Sequence, residues 1–211
     1  MKLKVCGMKL NTSEVATINP DYLGFIFWEK SARFFDSEIP ALPHPISKIG
    51  VFVDAELDFI LETVKKHNLQ GVQLHGSESP EFCSQVASAL KKANHKSDII
   101  KVFSIKDDFN FKMLTPYEEA CDYYLFDTKG KLPGGNGFTF DWSVLKAYPS
   151  TKPYFLSGGI GLENLEKIKE FIELPESKYC HAIDVNSKFE LQPGLKKIEE
   201  LQELKKELST N

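Results

Sequence analysis

Short, almost continuous apolar runs recur at a steady interval along the chain and alternate with segments of helical periodicity. Strands of a parallel sheet show this unbroken apolar pattern because helices cover both of its faces. The pattern predicts eight strands: Leu3–Gly7, Tyr22–Phe27, Lys48–Val53, Gly71–His75, Ile99–Ser104, Asp122–Asp127, Pro153–Ser157 and Ala182–Val185.

The segments between these runs are amphipathic. Leu57, Ile60, Leu61 and Val64 follow helical spacing, and Asp54 is placed to cap that helix. Further helices are predicted after Ser79-Pro80-Glu81, which combines a capping residue with proline at the first helical position, and along the stripes Leu162–Ile172 and Leu195–Leu208.

Two of these connections are weak. The segment Pro40–Pro45 is rich in proline, and Asn110–Ala120 is interrupted by Thr115-Pro116, which predicts a short or irregular fifth helix. Eight strands alternating with helices predict an α/β fold, a single-domain (β/α)8 barrel of eight parallel strands over residues 1–211. The alternative is a doubly wound open sheet, which usually has fewer strands at this length.

Composition narrows the class of protein further. The chain has 211 residues, of which 42% are hydrophobic and 27% charged, and its net charge is −4. This balance supports a sizeable core and speaks against nucleic acid or an anionic membrane as partner. No apolar run reaches the roughly 18 residues of a membrane span, and the apolar stretch near Met1 is shorter than a signal peptide requires.

The spacing of the cysteines indicates free thiols in a reducing compartment rather than a metal or redox site. Cys6, Cys83, Cys121 and Cys180 are widely spaced, without a zinc-binding or redox motif. We therefore expect free thiols in a reducing cytoplasm and no metal site.

Active sites of (β/α)8 barrels lie where the strands end, and reactive side chains follow several of the predicted strands. Cys6 is either a small buried hydrophobe or a base, and Asp127 is either a turn cap or an acid–base carboxyl group. Arg33 is a candidate carboxylate clamp or a surface charge, and His75 could polarise a substrate or bind a nearby carbonyl.

Two loops favour an anion. Gly158-Gly159 and Asn186-Ser187 follow the seventh and eighth strands, where this fold often binds phosphate, although two tight turns would have the same residues. Gly134-Gly135-Asn136-Gly137 is a candidate lid or anion-holding loop, or a linker without function.

The motifs together resemble the phosphoribosylanthranilate isomerase family of tryptophan biosynthesis. They occur in order as Lys4-Val5-Cys6-Gly7-Met8, Val51-Phe52-Val53, Val72-Gln73-Leu74-His75-Gly76, Leu125-Phe126-Asp127-Thr128, Gly134-Gly135-Asn136-Gly137, Phe140-Asp141-Trp142, Leu156-Ser157-Gly158-Gly159, Asp184-Val185-Asn186-Ser187, Phe189-Glu190 and Pro193-Gly194. The resemblance implies a (β/α)8 barrel that performs an Amadori rearrangement without metal or organic cofactor, on a phosphosugar-anthranilate substrate, as a monomer or a homodimer.

The resemblance also implies roles for individual residues. Cys6 would be the general base and Asp127 the general acid. Arg33, His75 and Asp184 would line the substrate, with Arg33 near the anthranilate carboxylate. The phosphate-binding residues would be Gly137, Gly158, Gly159, Asn186 and Ser187.

Four alternatives remain at this point. They are a metal-dependent phosphosugar epimerase, a non-catalytic phosphate-binding sensor, a thiol-redox protein using Cys6, and the related isomerase of histidine biosynthesis. The last resembles a two-phosphate barrel with internal half-repeats and carboxylate catalysts, whereas this chain has one predicted phosphate site and Cys6.

Overall fold

Eight parallel strands close into a barrel in the computed structural model of the chain, which describes residues 1–106, 109–128 and 141–209. The strands are β1 (Lys2–Val5), β2 (Tyr22–Ile26), β3 (Ser47–Phe52), β4 (Gly71–Leu74), β5 (Asp98–Ile105), β6 (Tyr123–Thr128), β7 (Tyr154–Leu156) and β8 (Cys180–Val185). Each strand pairs with the next, and β1 pairs with β8 so that Lys4 lies opposite Asp184. The predicted closed barrel is therefore confirmed, with strand bounds shifted by a few residues.

Five α-helices pack around the barrel in the described part of the chain. They are α1 (Thr12–Ala16), α2 (Leu57–His67), α3 (Pro80–Lys92), α4 (Leu165–Glu173) and α5 (Ile198–Ser209). The fifth connection is the 3-10 helix Phe111–Tyr117, which contains Pro116. Because proline removes a backbone donor, a regular α-helix does not form here, as the sequence predicts.

The helix boundaries show one correct and two wrong predictions. Ser79 caps α3, and its side chain accepts a hydrogen bond from Phe82 N at 3.3 Å. Asp54 does not cap α2, because the chain turns at Asp54 with φ of 48° and the helix starts later, with Glu56 as its N-cap residue. Leu195 does not belong to α5, because it pairs in a two-stranded antiparallel sheet of β9 (Glu190–Gln192) and β10 (Leu195–Lys196).

The core has two layers. Side chains that point outward from the strands pack against the helices, and inward-pointing ones fill the barrel. The inward layer consists of Ile49, Ile100, Val102, Leu125, Phe155 and Ala182. Side chains alternate between the two faces of each strand, so the same inward face carries polar groups nearer the carboxyl ends. This change from apolar to polar positions the functional site.

The first strand and the last helix meet at the amino end of the barrel. The Met1 ammonium donates a hydrogen bond to Leu208 O at 3.1 Å. Asp21 Oδ2 accepts from Leu3 N at 2.9 Å and from Lys205 Nζ at 3.0 Å, so β1 and α5 share a carboxylate. No helix among the described residues has the length and apolar character needed to cross a membrane.

Candidate active site

One cavity of about 760 Å³, measured with its open mouth, lies at the carboxyl ends of the strands. It brings together nine of the ten predicted site residues: Cys6, Arg33, His75, Asp127, Gly158, Gly159, Asp184, Asn186 and Ser187. The tenth, Gly137, lies outside the described residues, as does the whole segment Gly134–Gly137. Side chains that were remote in sequence therefore line a single site.

Cys6 is buried directly after β1. Its backbone N–H donates to Val185 O at 2.8 Å, which fixes it beside β8. On the other side, a Cβ built on Gly24 would lie 2.8 Å from Cys6 Sγ, so glycine leaves room for the sulfur. Burial raises the pKa of the Cys6 thiol, and the charges of Lys4 and Lys196 only partly oppose this effect. The resting side chain is therefore a thiol rather than a thiolate.

Lys4 and Asp184 form a buried ion pair next to the thiol. Lys4 Nζ lies 2.8 Å from Asp184 Oδ2, and the Lys4 side chain is 0% exposed. Burial favours the neutral amine, but Asp184 and Cys6 outweigh it and raise the pKa of Lys4. Asp184 lines the cavity, and its Oδ1 is a buried acceptor with no hydrogen-bond partner among the described residues.

Asp127 is a carboxyl group adapted to donate a proton near neutrality. It lies at the end of β6, where burial and then the charge of Asp184 raise its pKa to about 6. Ser157 and the Thr128 backbone oppose this shift through hydrogen bonds. A carboxyl group with this pKa can hold its proton at a pH where ordinary carboxyl groups have lost theirs.

His75 is neutral and faces Asp127. Burial, together with the charges of Lys4 and Lys101, lowers the pKa of His75 to about 4. The Gln73 amide donates to Nδ1 at 3.1 Å, which leaves the proton of the neutral ring on Nε2. Nε2 lies 3.7 Å from Asp127 Oδ2. His75 therefore offers a neutral N–H donor to the cavity.

The loops after β7 and β8 have the backbone geometry that favours an anion. Gly158 and Gly159 have φ of 96° and 67°, a region that other residues avoid. A Cβ on Gly158 would also collide with the backbone nitrogen and Oγ1 of Thr128. Asn186 and Ser187 line the same cavity, at the start of the 3-10 helix Ser187–Phe189.

Arg33 lines the cavity as predicted, but its guanidinium is also held from behind. Nε lies 3.0 and 2.9 Å from the two carboxylate oxygens of Glu190, and Nη2 lies 2.7 Å from Oε2. Arg33 is thus a fixed charge rather than a freely solvated one. Gly7, with φ of 74°, permits this approach because a Cβ there would lie 2.7 Å from Arg33 Cδ.

Several residues of the site were missed or left unused in the sequence. Gln73, Ser157, Trp28 and Lys188 line the cavity, and Lys196 and Glu190 lie behind Arg33. Gln73 precedes His75 by two positions, as Lys4 precedes Cys6, so each polar pair shares one strand face. That spacing is a usable signal. Among the described residues, no group of three His, Cys, Asp or Glu side chains is arranged to hold a metal ion.

The fold and the site define an α/β-barrel enzyme. Its titratable side chains line one cavity together with the loops that follow β7 and β8. Residues 3–207 match the family model for N-(5'phosphoribosyl)anthranilate (PRA) isomerase. The chain therefore belongs to the N-(5'-phosphoribosyl)anthranilate isomerase family.

Individual relatives agree with this assignment. N-(5'-phosphoribosyl)anthranilate isomerase of Parabacteroides distasonis is 40% identical over 95% of this chain and 90% of the relative. The crystal structure of the Thermus thermophilus enzyme has a TM-score of 0.82 and 26% identity, covering 100% of this chain and 99% of its own. A structure of the enzyme in complex with reduced 1-(o-carboxyphenylamino)-1-deoxyribulose 5-phosphate has a TM-score of 0.78 and 25% identity, covering 100% of both chains. The predicted family and isomerase activity are confirmed.

Proposed function

We propose that the cavity binds N-(5-phosphoribosyl)anthranilate and converts it to 1-(2-carboxyphenylamino)-1-deoxyribulose 5-phosphate, with Asp127 as general acid and Cys6 as general base. One observation carries this assignment of roles. A carboxyl group with a pKa of about 6 and a buried thiol line the same cavity, at the ends of different strands. The two groups can therefore act on different atoms of one bound sugar.

The first step opens the sugar ring. Asp127 donates its proton to the ring oxygen while the C1–O bond breaks, and the anilino nitrogen supplies the electron pair that forms a C1=N bond. The leaving oxygen becomes a hydroxyl group, and the nitrogen becomes cationic. His75 Nε2–H lies 3.7 Å from Asp127 Oδ2, beyond hydrogen-bond distance, so in this structure it places an N–H dipole near the carboxylate that remains.

The second step moves hydrogen from C2 to C1. The Cys6 thiolate removes the C2 proton, the C–H electrons form a C1=C2 bond, and the C=N electrons return to nitrogen. The enolamine then loses its hydroxyl proton and gains a proton at C1, which gives the ketone. Because the cationic nitrogen accepts the electron pair, a modest base suffices and the steps call for no cofactor.

The remaining residues hold the substrate. Gly158, Gly159, Asn186 and Ser187 would bind the phosphate, Arg33 would bind the anthranilate carboxylate, and Asp184 would line the substrate. Four buried, unpaired thiols are consistent with a reducing cytoplasm as the compartment. The partner in this proposal is a small molecule.

The test is loss of substrate fluorescence in the presence of EDTA, with freshly made phosphoribosylanthranilate and an enzyme-free control. We expect rapid turnover, reduced by about 10²- to 10⁴-fold in both Cys6→Ala and Asp127→Asn. Cys83→Ala removes a buried thiol outside the cavity, and Asp122→Asn alters a carboxylate at the other end of β6, so both serve as matched controls. Near-normal rates in the first two variants would contradict the roles, and activity that chelation abolishes would favour a metal-dependent enzyme.

A further inference from the structure

A charged cluster lies behind the cavity wall and includes two residues to which the proposed reaction gives no role. We propose that Glu190, with Lys196, is a positioning residue: it holds one edge of the Arg33 guanidinium so that the other edge faces the anthranilate carboxylate. This inference rests on the proposed function, because it assigns the substrate group that Arg33 would bind.

The contact between Arg33 and Glu190 is directional. Nε and Nη2 both donate to the carboxylate, at 2.7 to 3.0 Å. A guanidinium has five N–H bonds in one plane, so this contact leaves the Nη1 pair and one Nη2 bond for another acceptor. The Glu190 side chain is 4% exposed and that of Arg33 18%, so the paired edge is buried and the charge still reaches the cavity.

Lys196 adds the charge that a pair alone would cancel. Its side chain is 0% exposed, and Nζ lies 2.7 Å from Glu190 Oε1. Burial lowers the pKa of Lys196, and the Glu190 carboxylate opposes that shift by favouring the ammonium form. When Lys196 is protonated, two cations share one carboxylate, which leaves one net positive charge beside the cavity. Without Lys196, the Arg33–Glu190 pair would have no net charge. It would then attract an anionic substrate far less strongly, because the electrostatic attraction depends on the net charge of the cluster.

The cluster also connects the two regions proposed to bind anions. Lys196 Nζ donates to Asn186 Oδ1 at 2.9 Å and to Asn186 O at 3.3 Å. The Lys196 backbone is itself fixed, because Asn11 accepts from its N–H at 2.9 Å and donates to its carbonyl at 3.0 Å. The Arg33 side and the Asn186 loop are therefore held relative to each other before a substrate arrives. Such preorganisation lowers the ordering cost of binding.

The experiment compares two substrates, phosphoribosylanthranilate and N-(5-phosphoribosyl)aniline, which lacks the carboxylate. Arg33→Met removes charge-assisted hydrogen bonds to the carboxylate. We therefore expect kcat/KM to fall about 10- to 100-fold on the carboxylated substrate and to change little on the aniline. Glu190→Gln is expected to lose about tenfold on the carboxylated substrate, mostly in KM, and to leave the aniline within about twofold. Adding Glu190→Gln to Arg33→Met should then change the ratio between substrates no further.

The outcomes separate this inference from the proposed function. Equal losses on both substrates in Glu190→Gln would overturn the positioning role, because a structural defect does not distinguish the substrates. Equal losses in Arg33→Met would instead overturn the assignment of the carboxylate to Arg33. Glu78→Gln breaks another buried ion pair, Lys101–Glu78 at 2.7 Å, and should leave the substrate ratio unchanged.

Lys196→Met provides a second route if Glu190→Gln does not fold. This variant retains the Arg33–Glu190 contact but removes the extra positive charge. We expect it to reduce discrimination in favour of the carboxylated substrate by several-fold, with folding checked by circular dichroism. An unchanged ratio in this folded variant would overturn the charge argument.

Discussion

In the resting site, Asp127 and Cys6 have the protonation states opposite to those that the proposed reaction uses. The pKa of Asp127 is about 6, whereas burial raises that of Cys6 above its ordinary value. Near neutrality the carboxyl group is therefore mostly ionised and the sulfur mostly protonated. The reactive pair, a carboxylic acid and a thiolate, is a minor form with the same number of protons.

This arrangement predicts the pH dependence of kcat/KM. Above pH 6, each unit of pH lowers the fraction of protonated Asp127 tenfold and raises the thiolate fraction tenfold, so their product is constant up to the thiol pKa. Below pH 6, Asp127 stays protonated while the thiolate fraction continues to fall. We expect kcat/KM, measured by the fluorescence assay, to be flat from about pH 6 up to the thiol pKa and to fall tenfold per unit below pH 6.

Ser157→Ala identifies the group responsible for the acid limb. Ser157 lowers the pKa of Asp127 through a hydrogen bond, so its removal should move the acid limb to higher pH. The phosphate of the substrate also titrates in this range, but the variant leaves that titration unchanged. An acid limb that stays in place would assign it to the substrate instead of Asp127.

Residue-scale prediction from sequence succeeded where a side chain follows a strand directly. Cys6, His75 and Asp127 are candidates by that rule, the family resemblance adds Asp184 and favours the functional interpretation of all four, and the cavity contains them. Their chemical roles remain predictions. Glu190 belongs to one of the sequence motifs but receives no role there, because its contact with Arg33 spans 157 residues of sequence separation. Lys196 belongs to none of those motifs, and its link to Arg33 runs through Glu190. Only the folded chain reveals such a partner.

At the scale of elements, the loop between β7 and α4 depends on glycine. Gly158 combines φ of 96° with close approach to the Thr128 backbone, whereas a Cβ on Gly161 would meet only the flexible carboxylate end of Glu163. The two glycines lie in one loop but differ in what surrounds them.

We predict that Gly158→Ala displaces this loop and raises KM for the substrate at least tenfold. The reason is that strained backbone costs about 1–3 kcal/mol and the collision with Thr128 adds to it. The matched variant, Gly161→Ala, is expected to keep KM within about threefold, since a side-chain shift relieves its contact. Steady-state kinetics and inhibition by inorganic phosphate measure the effect, and equal KM values in the two variants would contradict it.

Element prediction failed where the chain turns before a helix. Asp54 looks like a cap, but its Oδ1 accepts from Ser77 N at 2.6 Å and so connects two loops instead. Leu195 fits the apolar stripe of α5, yet pairing with Gln192 removes it from the helix. Periodicity extends a helix as far as the apolar spacing continues, whereas tertiary hydrogen bonds decide where it begins.

At the scale of the whole molecule, acid sensitivity has a source far from the cavity. His181 lies on β8 toward the amino end of the barrel, where its Nε2 is 2.7 Å from the Tyr22 hydroxyl group. Burial, followed by the charge of Lys2, lowers the pKa of His181 from 6.5 to about 4. The unfolded chain therefore binds more protons at this position between pH 6.5 and 4, and the free energy of unfolding falls as the pH decreases through that window.

His181→Gln should flatten this acid dependence. We expect the loss of stability between pH 7 and pH 4 to be smaller in the variant by about 1–2 kcal/mol, after allowing for partial exposure of the ring. On acidification, His75 also decreases the stability of the protein and Asp127 increases it. Both residues are present in the wild type and in the variant, so their effects cancel when the two are compared.

Urea unfolding at both pH values, followed by circular dichroism and tryptophan fluorescence, measures this difference. The same curves test whether residues 1–211 unfold as one domain, which predicts coincident transitions. Parallel acid dependences in the two proteins would show that His181 does not carry the effect.

The contact between the Met1 ammonium and Leu208 O brings the two ends of the described chain together beside a barrel that is closed in any case. Because the barrel is closed, each strand keeps the same two neighbours wherever along the ring the polypeptide begins and ends. A short linker could join the ends, and new ends could be opened in the proline-rich stretch Pro40–Pro45, which belongs to no helix or strand. In such a circular permutant, the strand carrying Cys6 would become internal to the chain while keeping β2 and β8 as its neighbours.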